Sequence, residues 1–372
     1  MLKKKIIIVT AGFYPMNTPR SFRSTELARE FARKGHDVVV VLPFRGYDYS
    51  KFETEAEIKF IDIGDLRFRS IEFKGSGLSL LIKRVIRRLL KLLFEYPDIE
   101  LMFKVSKVLR YQTGFDLMIS VAVPFPIHWG VALSTTSKLK VSNRWIADCG
   151  DPYMGCETDS FKKLFYFKYL EKWFCRKCDF ISIPFDGLKD KFYPEFKQKM
   201  LVIPQGFRLE DITLADKIES SIPTFAFSGS LIPGIRDLDL FFKVLMDVGR
   251  DFRFIVFTNQ LDYFSPYKRQ LGECLVVNGY MPRLSLLYEL SKCDFLVNVD
   301  TIYDCKSVST AFPSKLIDYA FTRRPIFSFC SNSVDKSVLL EFLRGDYSKR
   351  RIIDYHNYDI KIVTQKFLDV MN

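Results

Sequence analysis

T-F-A-F-S-G-S-L-I-P-G-I-R-D, residues 224–237, spells one complete strand-to-helix connection. It opens as a short apolar run, breaks at a glycine, stays polar and glycine-bearing, and closes where a helix can begin. Strand, loop, helix is the order it spells, and the same order opens the chain. I-I-I-V-T (6–10) reads as a buried strand, residues 20–34 carry helical spacing, Gly35 stops the helix, and V-V-V-V-L (38–42) is a second strand. Further buried strands are expected at 116–121, 143–147, 179–183 and 201–203. From 224–228 the rhythm restarts and runs through 253–257, 275–277, 294–299 and 325–329, with helical stretches between. Strands that alternate with helices imply a parallel sheet covered on both faces. The boundary falls at the loop I-P-Q-G-F (203–207) and the polar stretch up to about 223. The expected architecture is α/β, with two Rossmann-like domains, 1–205 and 206–358, facing each other across an interdomain cleft. A terminal helix (359–372) is available to pack back on the first.

The bulk composition agrees with two folded domains. At 372 residues with 48% apolar content, the chain can bury two cores and is not disordered. No apolar run approaches the ~20 residues of a membrane span, and the basic start M-L-K-K-K is followed by too short an apolar run for a signal peptide. A cytoplasmic protein is therefore expected, with its eight cysteines as reduced thiols and the lone Cys175-x-x-Cys178 pair as core residues, not a metal site. The net charge of +12 suits phosphorylated substrates or an anionic membrane surface. No zinc-finger, RRM or basic-zipper pattern supports a nucleic-acid partner.

In open parallel sheets ligands bind beyond the carboxyl ends of the strands, so the loops after strands hold the candidate residues. The loop after the first strand, A-G-F-Y-P-M-N-T-P-R-S (11–21), lacks the G-x-G-x-x-G of a dinucleotide enzyme, which argues against a nicotinamide dehydrogenase. It delivers Arg20 and Arg23 near a helix start. The loop after 224–228 offers Gly229, Ser230 and Gly234 for close backbone approach, and Arg236 for charge. Diphosphates favour that combination at a helix N-terminus. The helix end alone is worth only ~0.3–2 kcal/mol, so the guanidinium must carry much of the affinity. In A-F-P-S-K-L-I-D-Y-A (311–320), Pro313 and Ser314 suit the first turn of a helix. Lys315 is unfavourable there unless an anion binds, and Asp318 shares its face, where a carboxylate suits ribose hydroxyls. W-I-A-D-C-G-D-P-Y (145–153) ends a strand with Asp148 and Asp151, expected to point into the cleft, and His128 lies in another carboxyl-end loop. Asp237-Leu238-Asp239 resembles a metal-binding D-x-D, but its place at a helix start favours capping.

Taken in order, four segments resemble glycosyltransferase family 4 enzymes of the GT-B fold, particularly those of bacterial surface polysaccharides. They are R-S-F-R-S-T-E-L-A-R-E-F-A-R-K-G-H-D-V-V-V-V, V-P-F-P-I-H-W-G with W-I-A-D-C-G-D-P-Y, F-S-G-S-L with R-D, and F-P-S-K-L-I-D-Y. The resemblance covers nearly the whole chain. It implies a retaining, metal-independent transferase that takes a nucleotide-sugar, UDP- or GDP-linked first, as substrate and needs no cofactor. The acceptor would be a glycan or a lipid-linked glycan. His128, Asp151, Arg236 and Lys315 would be catalytic. Gly229, Ser230, Arg236, Thr310, Ser314, Lys315 and Asp318 would hold the donor, with Arg20, Asp148 and Asp151 on the acceptor side. Three positions depart from the pattern. Thr310 and Asp318 stand where two glutamates are usual, Gly150 replaces an arginine before Asp-Pro, and Gln205-Gly206 replaces Asn-Gly at the junction.

L-S-L-L-I-K-R-V-I-R-R-L-L-K-L-L-F (78–94) is sharply amphipathic, with Lys83, Arg84, Arg87, Arg88 and Lys91 on one arc. Two readings stand side by side: packing of its apolar face on the first domain, or a helix lying on an anionic membrane at the inner face of the cell. Two rivals to transfer also remain, a sugar-nucleotide epimerase or hydrolase of the same architecture and a catalytically idle nucleotide-binding partner in a glycan-assembly complex.

Overall fold

The computed structural model describes residues 2–68, 71, 78–136, 140–156, 162–216, 220–249, 251–300 and 314–371. It divides into two compact units, Met1–Phe207 with Asp359–Asn372, and Arg208–Tyr358. Each is a parallel α/β sandwich, and together they make two Rossmann-like domains.

The first unit holds β1 (Lys5–Thr10), β2 (Asp37–Leu42), β3 (Ile58–Asp62), β4 (Phe115–Ala122), β5 (Ser142–Cys149), β6 (Phe180–Ile183) and β7 (Met200–Val202). The sheet order is β3-β2-β1-β4-β5-β6-β7, and every pairing is parallel. Successive strand residues feed opposite faces, which is why β1 is apolar from Ile6 through Val9. Ile7 and Val9 join Leu101, Trp129 and Phe174 in one core. Ile6 and Ile8 join Leu27, Phe31 and Phe367 in the other, so the terminal helix Ile360–Asp369 belongs to this unit's core. The strand β3, I-K-F-I-D, is not among the strands expected from the sequence. It is the sheet's edge, paired on one side only, and only Ile58 in it is fully buried, so it lacks the unbroken apolar run of the others.

The second unit holds β8 (Thr224–Ser228), β9 (Arg253–Phe257), β10 (Leu275–Asn278), β11 (Phe295–Asp300) and β12 (Ile326–Cys330), in the order β10-β9-β8-β11-β12. These pairings too are all parallel. One face is a phenylalanine-rich core built on Phe225, Phe227, Phe241, Phe254, Phe295 and Phe342. On the other face, Leu316 and Tyr319 of the helix Ser314–Phe321 pack on Ala226 and Leu296.

Cys175 and Cys178 are buried free thiols, and burial pushes Cys178 up to about 12.

Asp148 does not project toward a substrate. It is 2% exposed at the end of β5, where its carboxylate accepts from Arg23 Nη2 at 2.8 Å, Arg23 Nε at 3.1 Å and Ser182 Oγ at 2.6 Å. Burial alone would push its pKa up, but the Arg23 and Arg20 guanidiniums and Ser182 override that and hold it below the usual range. Arg23 also donates to the carbonyls of Ile203 (3.1 Å) and Pro204, and its guanidinium lies 5.3 Å from the centre of the Phe367 ring. A charged carboxylate on a buried strand needs such a partner, so the expected acceptor-side role gives way to a structural one. Replacing Asp148 with Ala strands a buried guanidinium and should cost about 3–5 kcal/mol in denaturant unfolding. Asp151→Ala, at an exposed site, should stay within about 0.5 kcal/mol.

Candidate functional site

In both sheets the strand order reverses beside the first strand of the unit, and the loops there diverge to leave a crevice. In the first unit β1 lies between β2 and β4; in the second β8 lies between β9 and β11.

At the first unit's reversal, the helix Pro19–Arg33 is capped by Thr18, whose hydroxyl accepts from Ser21 N at 3.2 Å. This turn sets Arg20 over Gly150. A Cβ at residue 150 would fall inside the Arg20 guanidinium, so any other residue there would move the end of that side chain. Arg20 is 23% exposed and lies 3.6 Å from Asp148, whose charge Arg23 already shares. Asp151, beside it in the loop, is exposed. His128 sits by the carboxyl ends of β4 and β5 but inside the core. It is wholly buried on the helix Pro126–Ser134, with Nδ1 2.7 Å from Ser120 Oγ and Nε2 3.4 Å from Cys149 Sγ. Ser120 also accepts from Trp145 Nε1, and the ring stacks on Phe174. Burial drives its pKa down to about 3, so it is a neutral core residue. Buried, with both ring nitrogens engaged, it holds the core together in this structure, in place of the open catalytic position expected of it.

At the second unit's reversal the parts converge. Tyr319, buried on the helix Ser314–Phe321, accepts from Ser228 N at 2.7 Å, which fixes that helix against the end of β8. The chain then turns at Gly229, whose φ of +121° an L side chain rarely adopts. A short hairpin follows, Ile232 and Arg236 exchanging backbone bonds of 2.8 Å. Arg236 Nη2 donates to the Ser230 carbonyl at 3.1 Å, holding the guanidinium over the exposed Ser230. Asp237 and Asp239 are engaged internally. Asp237 accepts from Gly234 N and Ser331 Oγ, and Asp239 accepts from the Tyr263 and Tyr267 hydroxyls.

Lys315 is the unusual member. Its stem passes Gly229, and Nζ lies 4.6 Å from the centre of the Phe227 ring. Nζ is buried and has no hydrogen-bond partner among the described residues, and the same holds for Arg236 Nε. Two cations with unused donors therefore share one loop cluster. Burial, reinforced by Arg236 and Arg351 and opposed by Asp300, lowers the Lys315 pKa to about 7. Asp318, one turn on, pairs with Arg283 through Oδ1, at 2.8 Å to Nε and 2.6 Å to Nη2. Burial raises its pKa and Arg283 opposes that rise. Both of these contacts fall on one oxygen, and the side chain keeps 23% exposure. Thr310 lies outside the described residues, and Ser314 begins the helix.

Sequence reasoning missed Asp300, Arg351 and Arg283. Asp300 ends β11 and takes Arg351 Nη1 at 2.9 and 3.2 Å. Its place at the end of a buried strand was a usable signal. Arg283 carried none.

No protein-family model matches the chain, and no curated protein does. Solved structures do match, end to end. The lipopolysaccharide outer core galactosyltransferase WaaB, in its apo form, superposes with a TM-score of 0.61 at 11% identity over 99% of each chain. TarM gives 0.61 at 10% identity over 99% of each. Anabaena Alr3699/HepE in complex with UDP and glucose gives 0.57 at 12% identity, again over 99% of each. These neighbours are GT-B glycosyltransferases, and the likeness shows that fold for this chain.

An anion beside Lys315 favours its charged form and raises its pKa above about 7. Binding of UDP at about pH 8, where its phosphates are already ionised, should therefore take up a proton, and affinity should fall as pH rises through that range. Calorimetry in two buffers of different ionisation enthalpy measures the uptake, and Lys315→Met should abolish it.

Proposed function

We propose that the chain is a glycosyltransferase that moves a sugar from a nucleotide-sugar, UDP- or GDP-linked, to a glycan or lipid-linked acceptor in cell-surface polysaccharide synthesis. The observation that carries this is the pair of unused cationic donors, Lys315 Nζ and Arg236 Nε, at the strand-order reversal of the second unit. A buried ammonium with no hydrogen-bonded counter-ion among the described residues is costly, and a diphosphate would supply that charge. The loop Gly229–Ser230 lets the phosphate oxygens approach the backbone, and the N-terminal end of the helix Ser314–Phe321 favours anions. Asp318, with one oxygen taken by Arg283, offers the other to a ribose hydroxyl.

Transfer cleaves the bond between the sugar's anomeric carbon and the diphosphate oxygen, and negative charge grows on the departing diphosphate. Arg236 and Lys315 meet that charge as it forms, which lowers the barrier without a metal. The family resemblance favours retention of the anomeric configuration, with the acceptor attacking from the face the diphosphate leaves. On the first unit, Arg20 and Asp151 are the residues open to the acceptor. A lipid-linked acceptor would place the enzyme at the inner face of the cell membrane.

Calorimetric titration of UDP, GDP and ADP into the wild type, Arg236→Ala and Asp318→Ala tests the donor site. One nucleotide should bind, more weakly in both variants. Turnover with the matching donor should fall on the order of a hundredfold in Arg236→Ala. Failure of all three nucleotides to bind the wild type would overturn the reading. Donor consumption that needs no acceptor would replace it with an epimerase or hydrolase.

A further inference from the structure

The helix Leu78–Phe94 has seventeen residues, and not one of them is buried. Leu78, Leu81, Ile82, Val85, Ile86, Leu89 and Leu93 are between 38% and 72% exposed. At 100° per residue these seven fall within a single arc of about 140°, so they form one continuous apolar stripe. Lys83, Arg84, Arg87, Arg88 and Lys91 occupy the opposite arc, and the helix contains no acidic residue. The Tyr166 hydroxyl donates to the Leu93 carbonyl and ties the helix's last turn to the first unit. The apolar face thus points outward, and packing on the first unit, one of the two readings of the sequence, is not what the structure shows.

An outward apolar stripe of this length needs an occupant, because water solvates it poorly. We propose that the occupant is an anionic lipid surface, with the stripe seated at the boundary of headgroups and acyl chains and the basic side chains reaching the phosphates. Charge selects this over a second copy of the chain. The helix carries five cations and no acidic residue on a chain already at +12, so two copies repel each other as they approach. An anionic leaflet attracts the same charges and accepts the same apolar face. At seventeen residues with five cations the helix lies in the interface and does not cross it. This inference is independent of the donor-site reading, since lipid binding is measured whether or not a sugar is transferred.

Flotation of the full chain with vesicles of phosphatidylcholine alone, or mixed with phosphatidylglycerol, is the test. The wild type should float with the mixed vesicles at low salt and lose most of that binding at high salt. Val85→Asp with Leu89→Asp, at the centre of the stripe, should abolish flotation while melting with the wild type, because neither residue is buried. Exchanging Arg84, Arg87 and Lys91 for Gln should weaken partitioning on the order of a hundredfold and remove the preference for phosphatidylglycerol. Equal flotation with both vesicle types would overturn the proposal, and so would no flotation at low salt. Flotation undisturbed by the double Asp variant would place the contact elsewhere. A concentration-dependent dimer in sedimentation, lost in that variant and present without lipid binding, would hand the stripe to a second copy. The comparison of vesicle types uses the wild type alone, so it decides the lipid question even if a variant unfolds.

Discussion

Every strand pairing in both sheets is parallel, and the rest of the molecule follows from that. A parallel strand cannot be reached by a tight turn, so each connection must cross back over a face of the sheet. The crossings bury both faces, which requires apolar strands, and they gather the loops that follow the strands along one edge. Where the strand order reverses beside β1 and β8, neighbouring loops leave in opposite directions and a crevice opens. Arg20, Gly150 and Asp151 reach that edge in one unit, and Gly229, Arg236 and Lys315 in the other. They come there from distant stretches of chain because strand direction leaves them no other place.

Two buried cations show opposite solutions to one energetic problem. Arg23 is matched inside the protein by Asp148 and by two backbone carbonyls, so its charge is fully answered. Among the described residues Lys315 meets the face of the Phe227 ring and, at longer range, the Asp300 carboxylate, and its pKa falls to about 7. The first arrangement holds the opening helix to β5 and to the loop after β7. The second leaves an electrostatic deficit at the mouth of a crevice, and a protein keeps such a deficit where something else supplies the countercharge.

The element order was legible in the sequence because buried parallel strands read as unbroken apolar runs. The strand β3 was not, since an edge strand is half solvated and its pattern is diluted. Lys315 stood out in the sequence because a basic residue at a helix start is anomalous by itself, and Arg236 because it closes a glycine-bearing loop after a strand. His128 and Asp148 misled for a shared reason. Their positions near strand ends were read correctly, but the direction of a side chain there depends on partners such as Ser120, Cys149 and Arg23, which come from far along the chain. Arg283 was invisible for the same cause, since only the fold brings it to Asp318.

The first unit is discontinuous. Its second core includes Ile360, Val363 and Phe367, which follow the whole of the second unit in the chain. During synthesis the segment 208–358 is complete and able to collapse while the first unit still lacks part of its interior. Until the last helix arrives, the face that Phe31 and Leu27 share with Phe367 stays open to water and to chaperones. Losing the helix Ile360–Asp369 would therefore open a core whose other walls are made far earlier in the chain, a kind of proofreading in which an early part is sealed only by a late one.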